Sequence, residues 1–438
     1  MDKLYDEQVT GIERSEYRTV MPVSDLNFNT PNNYTVFKLD HGDAFYDSRI
    51  MYHIHGELVK KSDGTEYPAA STIQLIDNFP AYLFSRIELK KHNTLLDSVD
   101  HPGITSQVKG LVSYSKSQMY MLPTSGFISK FSGGGKFEAL GTLGHLGLGF
   151  FDHLRNPMYK GGFEITFTRA EDNDAIYHWS GNAQGATEPA DGKVVIKSFV
   201  LRVPLVEYET NAKSQLIAGL KQMSDKDSLK YTYLQWQCID KKGVFGSTFN
   251  FDVTGLYRNV YNPKFIIVAL QTDRANKQKK NPSRFDHCNL KNVSVKINGH
   301  RYPAEMQNCD MAAQNYRLLY DQYLTFRKLM YGDTDVYVNM DDFKSRYPII
   351  VIDPHLHPTS RDRSKNDIQV ELDFTTAVAS AQGDVGTTAY IILVSQTEFM
   401  YDITRKRYSH GSVMTFISVL VYAGQRRVPI DVTHQYVF

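Results

Sequence analysis

The chain has 438 residues, enough for two or three domains, and a formal net charge of +1. That balance excludes a surface that is basic throughout, as a general polyanion binder needs. Its three cysteines, Cys238, Cys288 and Cys309, share no metal-site spacing and cannot build a disulfide framework, which favours a reducing compartment.

Residues 1–34 mix charges, Asn and Pro with little periodicity and read as an extended N-terminal arm. The opening MDKLYDEQVTGIERSEYRTVMPV has no apolar signal-peptide core, so the chain is expected to fold inside the cell. From there period-two patterns dominate. Ile50, Tyr52 and Ile54 alternate with Met51, His53 and His55. Ile87 and Leu89 run into the turn-like KKHN. GITSQVKGLVSYS (103–115) reads as a short helix. Phe163, Ile165 and Phe167 alternate with polar partners, and Phe199, Leu201, Val203 and Leu205 follow. TNAKSQLIAGLKQMS (210–224) carries Leu216, Ile217 and Leu220 and predicts a helix at mid-chain.

The second half repeats the style. Phe249, Phe251 and Val253 alternate, while KFIIVALQ (264–271) and AYIILVSQ (389–396) are continuous apolar runs, as strands buried on both faces are. NVSVKINGHRYP (292–303) predicts a strand and a two-residue hairpin, because Asn298-Gly299 tolerates the positive φ of a type I′ turn. DMAAQNYRLLYDQYLTFRKLM (310–330) predicts the longest helix, with Tyr316, Leu319, Tyr320, Tyr323 and Leu324 at helical spacing. Ile368, Val370, Leu372 and Phe374 form a further alternating strand. VMTFISVLVYAG (413–424) is too short to cross a bilayer as a helix and reads as a strand. The 28 Tyr and 24 Phe fit this strand-rich picture.

Two strand pairs recur at nearly one offset: Ile87 with Val293, 206 residues apart, and Ile165 with Val370, 205 apart. The implied fold is all-β, two tandem eight-stranded jelly rolls with short helices and long inserted loops. The expected division is an arm at 1–34, jelly roll 1 at 35–209, a helical linker at 210–228, jelly roll 2 at 229–405 and a C-terminal extension at 406–438.

Candidate chemistry is sparse. His53 and His55 share one face of a strand with Glu57 two residues on, which is metal-capable geometry, but the Glu is closer than cupin spacing requires. His355 and His357 lie between prolines in a loop. SGGGKF (132–137) lacks phosphate-loop spacing, and the LGTLGHLGLGFF that follows suits a loop where chains approach closely, since Gly permits close backbone contact. Arg274, Lys277, Lys279, Lys280 and Arg284 make a basic loop suited either to solvent or to phosphates of a packaged genome. The sequons at Asn33 and Asn292 carry no weight without a signal peptide. No catalytic triad, paired-carboxylate motif or cofactor fingerprint is visible, and no cofactor is expected.

The stretches NPKFIIVALQ, NPSRFDHCNLKNVSVKINGHRYP, YRLLYDQYLTFRKLM, RYPIIVIDPHL, DIQVELDFTTAV and QTEFMYDITRKR, with FPAYLFSRIELKKHNTLLDS upstream, resemble the major capsid proteins of adintoviruses and Polinton-type elements. The resemblance spans residues 40–405; about 30 residues beyond YDITRKR depart from it. It implies a double jelly roll of the adenovirus hexon and virophage lineage, forming homotrimeric, pseudo-hexameric capsomers in an icosahedral shell. The implied partners are further copies of the chain, penton and minor capsid proteins, and packaged DNA by non-specific contact. The implied location is the virion capsid. Two alternatives stay open: a bicupin-like metal enzyme using His53 and His55, and a carbohydrate- or receptor-binding β-sandwich.

Overall fold

The computed structural model describes residues 12–23, 27–40, 45–46, 49–68, 71–129, 135–152, 158–159, 162–178, 191–222, 228–254, 263–354, 366–382, 386–402 and 407–412. The first half holds β1 (Ile12–Val20), β2 (Tyr34–Leu39), β3 (Phe45–Tyr46), β4 (Met51–Lys60), β5 (Ile73–Leu75), α1 (Phe79–Tyr82), β6 (Phe84–Lys91), β7 (Thr94–Asp100), α2 (Pro102–Ser113), β8 (Gly135–Thr142), β9 (Met158–Tyr159), β10 (Phe163–Arg169), β11 (Ile176–His178) and β12 (Gly192–Tyr208). After α3 (Thr210–Gln222) come β13 (Ser228–Val244), β14 (Gly246–Asp252), β15 (Pro263–Thr272), β16 (Leu290–Ile297), β17 (His300–Tyr302), α4 (Arg317–Tyr331), α5 (Met340–Ser345), β18 (Ile349–Ile352), β19 (Ile368–Val378), β20 (Thr387–Asp402) and β21 (Arg407–Ser412).

The two halves are wired alike. In the first, β1, β12, β4 and β8 are neighbours in one sheet and β2, β10, β6 and β7 in another. In the second, β13, β20, β15 and β18 form the first sheet and β14, β19, β16 and β17 the other. Substituting each strand for its counterpart turns one pair of sheets into the other. This is two tandem eight-stranded jelly rolls, as the sequence pattern predicts. In each roll the last long strand returns between the first and third of its sheet, which closes the interleave. The β6–β7 hairpin turns at His92-Asn93 and the β16–β17 hairpin at Asn298-Gly299; all four residues have positive φ. Both strands and turns sit 206 residues apart, so the repeat extends to turn chemistry.

Two expectations need correction. Residues 12–20, placed by composition in an arm, are β1, paired with β12 from Ile12↔Tyr208 to Val20↔Leu201. From Glu13 to Thr19 the strand is exposed apart from half-buried Glu16, so it carries no alternation to read. The helix expected at 310–330 starts only at Arg317. Asp310 Oδ1 accepts from the Ala312 and Ala313 amides at 2.9 and 3.0 Å, and this local turn competes with helix. Past the second roll, β21 pairs with the end of β20; the apolar stretch 413–424 lies outside the described residues. Among the described residues no helix is long and apolar enough to cross a membrane.

One core cluster runs through both rolls. Helix α2 explains why. His101, Thr105 and Lys109 recur every four residues along it and meet Asp240, Cys238 and Trp236, spaced by two along β13. About 6 Å of helix thus matches about 6.6 Å of strand. The helix caps roll 1 while lining a face of roll 2.

Candidate functional site

Among the described residues, side chains that carry chemistry converge on the surface of roll 1 and at the seam between the rolls. Strand β4 alternates half-buried and buried residues, with Tyr52, Ile54 and Leu58 inward and His53, His55 and Glu57 outward. The neighbouring β8 pairs in register, His55 opposite Glu138 and His53 opposite Leu140. That register brings Glu138 to both histidines. Its Oε1 lies 2.7 Å from His53 Nε2 and 3.7 Å from His55 Nε2. The imidazole centroids are 4.2 Å apart. The hydrogen bond from His53 holds the Glu138 carboxyl below the usual carboxylate range. Glu57, the carboxylate suggested by sequence, is elsewhere engaged: it pairs with Lys197 at 2.6 Å. Glu138 is 85 residues from His53, and only strand pairing could reveal it.

The seam is built from roll 1 loops and roll 2 strands. Gly149 sits so close to β13 that a Cβ would be driven into the Leu234 carbonyl oxygen. Close backbone approach at the Gly-rich stretch is thus met between the two rolls of one chain. Phe150 packs on Tyr233 at 5.2 Å, Tyr231 at 6.5 Å and Phe399 at 6.4 Å. Polar groups then tie the rolls with specific geometry. Tyr233 Oη donates to the Leu96 carbonyl, Tyr323 Oη to that of Leu111, and Arg327 to that of Ser113. Tyr82 Oη donates to the Pro282 carbonyl at 2.8 Å. Buried Asp97 accepts from the Phe150 amide at 3.0 Å, and desolvation raises its pKa to about 7. His145, buried beside Lys109, is pushed down to about 3 by desolvation and is therefore neutral.

The basic loop belongs largely to this seam. Arg274 makes a two-point ion pair with Asp286, 2.8 Å through Nε and 2.5 Å through Nη2. Lys277 pairs with Asp273. Gln278, between the cations, is buried: its side chain exchanges hydrogen bonds with the Gly192 backbone at 2.9 and 2.7 Å. Arg284 is half-buried, and Lys279 and Lys280 are exposed. Of the five cations, two therefore project from a loop whose middle is anchored to roll 1. His355 and His357 lie outside the described residues.

Comparison with known proteins agrees with this architecture. The family model of the double jelly roll-like domain matches residues 73–397. The chain belongs to the double jelly roll-like family. This double jelly roll resembles a chain of the Sputnik virophage structure with a TM-score of 0.59 at 9% identity, covering 95% of this chain and 93% of that one. It resembles the mavirus major capsid protein with a TM-score of 0.55 at 11% identity, covering 90% of each chain. A chain of the PBCV-1 virus capsid aligns with a TM-score of 0.54 at 9% identity, over 91% of this chain and 97% of that one. No curated protein matches the sequence. Identities this low speak for shared fold, and both rolls lie inside the alignments.

Proposed function

We propose that this protein is a viral major capsid subunit with a structural rather than catalytic role, and that three copies assemble into a pseudo-hexameric tile of an icosahedral shell. The observation that carries the reading is the pairing of two like-wired rolls through one continuous core. A chain built this way has two similar barrels at fixed geometry. Three such chains around a threefold axis give six barrels, and closed symmetry needs only one repeated interface. The solved folds it resembles include a mavirus major capsid protein and a PBCV-1 capsid chain, which supports the same reading.

Obligate interfaces are large and apolar. Large apolar side chains stand exposed on a single chain at Tyr17, Met21 and Val23, at Met119, Tyr120 and Met121, and at Leu318 and Leu329 of α4. These are the surfaces assigned to neighbouring copies. Genome contact, where made by the 274–284 loop, falls to Lys279 and Lys280. The double jelly-roll match weighs against the bicupin-like enzyme.

Negative-stain microscopy of purified protein tests the reading. Hexagonal tiles or closed shells are the expected images; a uniform field of small single-chain particles contradicts it.

A further inference from the structure

We propose that His53, His55 and Glu138 bind one divalent transition-metal ion of the zinc class on the outward face of the first roll. This does not rest on the capsid reading, because all three ligands belong to one chain and two adjacent strands.

The geometry is nearly assembled. The nitrogen and oxygen ligand atoms lie within 4.8 Å of one another. A tetrahedral ion with bonds of about 2.1 Å needs ligand atoms roughly 3.4 Å apart. His55 Nε2 and Glu138 Oε1 are already at 3.7 Å. His53 Nε2 and the same oxygen are at 2.7 Å and must part slightly, which side-chain rotation achieves without moving either strand. The fourth position opens to solvent for a water.

The side chains are accessible to an arriving ion. His53 is 18% exposed, His55 43% and Glu138 61%. Two imidazoles with one carboxylate select zinc-class ions over magnesium or calcium, which prefer all-oxygen sites. A histidine–carboxylate hydrogen bond would explain His53 alone. It leaves unexplained a second imidazole 4.2 Å away on the same face. The other nearby carboxylate, Glu57, is committed to Lys197.

The ion would act as a clip. Strand β8 ends the sheet path and is joined to it by β4. Among the described residues this outer strand pairs with β4 alone, and a metal bridging Glu138 to His53 and His55 adds a second tie. The matching strand of roll 2, β15, has no histidine.

Equilibrium dialysis of the full-length protein against ZnCl2, with MgCl2 as control, tests the site. The expected result is one zinc bound per chain through these residues, with no comparable magnesium binding. His55→Gln and Glu138→Gln, both at exposed positions, should each weaken zinc binding at least tenfold. Their circular dichroism should match the parent. Bound Co2+ should show the visible absorption of a four-coordinate site, lost in both variants. Failure to bind zinc, or zinc retained undiminished in both variants, overturns the proposal. Either result leaves the sizing test of the capsid reading unaffected.

Discussion

The sheet β1-β12-β4-β8 of roll 1 and the sheet β13-β20-β15-β18 of roll 2 share strand order but live in different environments. In roll 1, β4 and β12 alternate buried and half-buried residues, so one face is open to water. In roll 2 the run from Phe265 to Gln271 and the run from Ala389 to Ser395 are buried without interruption, as are all four residues of β18. Successive side chains point to opposite faces, so both faces of that sheet are covered. The helix α2 of roll 1 covers part of it. Phe326 of α4 covers more, 5.8 Å from Trp236 and 4.8 Å from Phe265. The lesson is that duplication preserved wiring and let packing diverge. One sheet became the inner wall of the subunit, and the other kept a polar face with room for chemistry.

The sharpest way to break this asymmetry is at the seam. Gly149→Val should drive a side chain into the backbone of β13, which cannot yield as a flexible side chain would. The expected cost exceeds about 4 kcal/mol, seen as loss of the cooperative unfolding transition or of soluble protein. Next in size is a matched pair of truncations. Trp236→Ala removes a fully buried seam side chain and should cost about 3–5 kcal/mol by chemical denaturation. Val200→Ala, on the half-exposed face of roll 1 opposite His53, should cost about 0.5 kcal/mol. Equal costs would show that the two sheets are not differently covered.

A pH titration probes the seam more gently. The Asp97 carboxyl, raised to about 7 by burial, holds a proton in the folded chain that the unfolded chain releases near 4. Its contribution is fully present below pH of about 4 and is lost as pH rises through about 7. Asp97→Asn keeps an acceptor for the Phe150 amide and removes the titration. The variant should therefore gain stability relative to the parent between those limits; a constant difference would contradict the burial of that charge.

The smallest expected effects lie in the duplicated hairpin. Asn93→Ala and Asn298→Ala each force alanine into positive φ, at about 1 kcal/mol. Asn298 should cost somewhat more, because its side chain also bonds Asn366 at 2.9 Å and the Asp367 amide at 2.9 Å. The same turn, copied, has acquired a second duty in roll 2.

Much of the fold was legible because strands with one wet face write their burial into alternation. The stretch His53-Ile54-His55 did so, and so did Ile368 to Phe374. The unbroken runs 264–271 and 389–396 signalled two covered faces, but a sequence does not say what covers them. Strand β1 left no signal, since exposure on both faces removes the pattern. The site was half legible. His53 and His55 are two apart on one strand; Glu138 reaches them only through the β4–β8 register. The basic loop was legible as a run of cations, but its neutralisation was not. Asp273 and Asp286, its neutralising partners, are in plain sight, but their pairing with Lys277 and Arg274 is a matter of conformation.

Under the proposed function, two rolls in one chain let three chains make a six-cornered tile. Multi-angle light scattering on the purified protein at micromolar concentration measures this directly. One chain weighs 50.0 kDa, so a trimer gives about 150 kDa, or larger where tiles join into shells. A stable, folded species at the single-chain mass across that range would contradict the account.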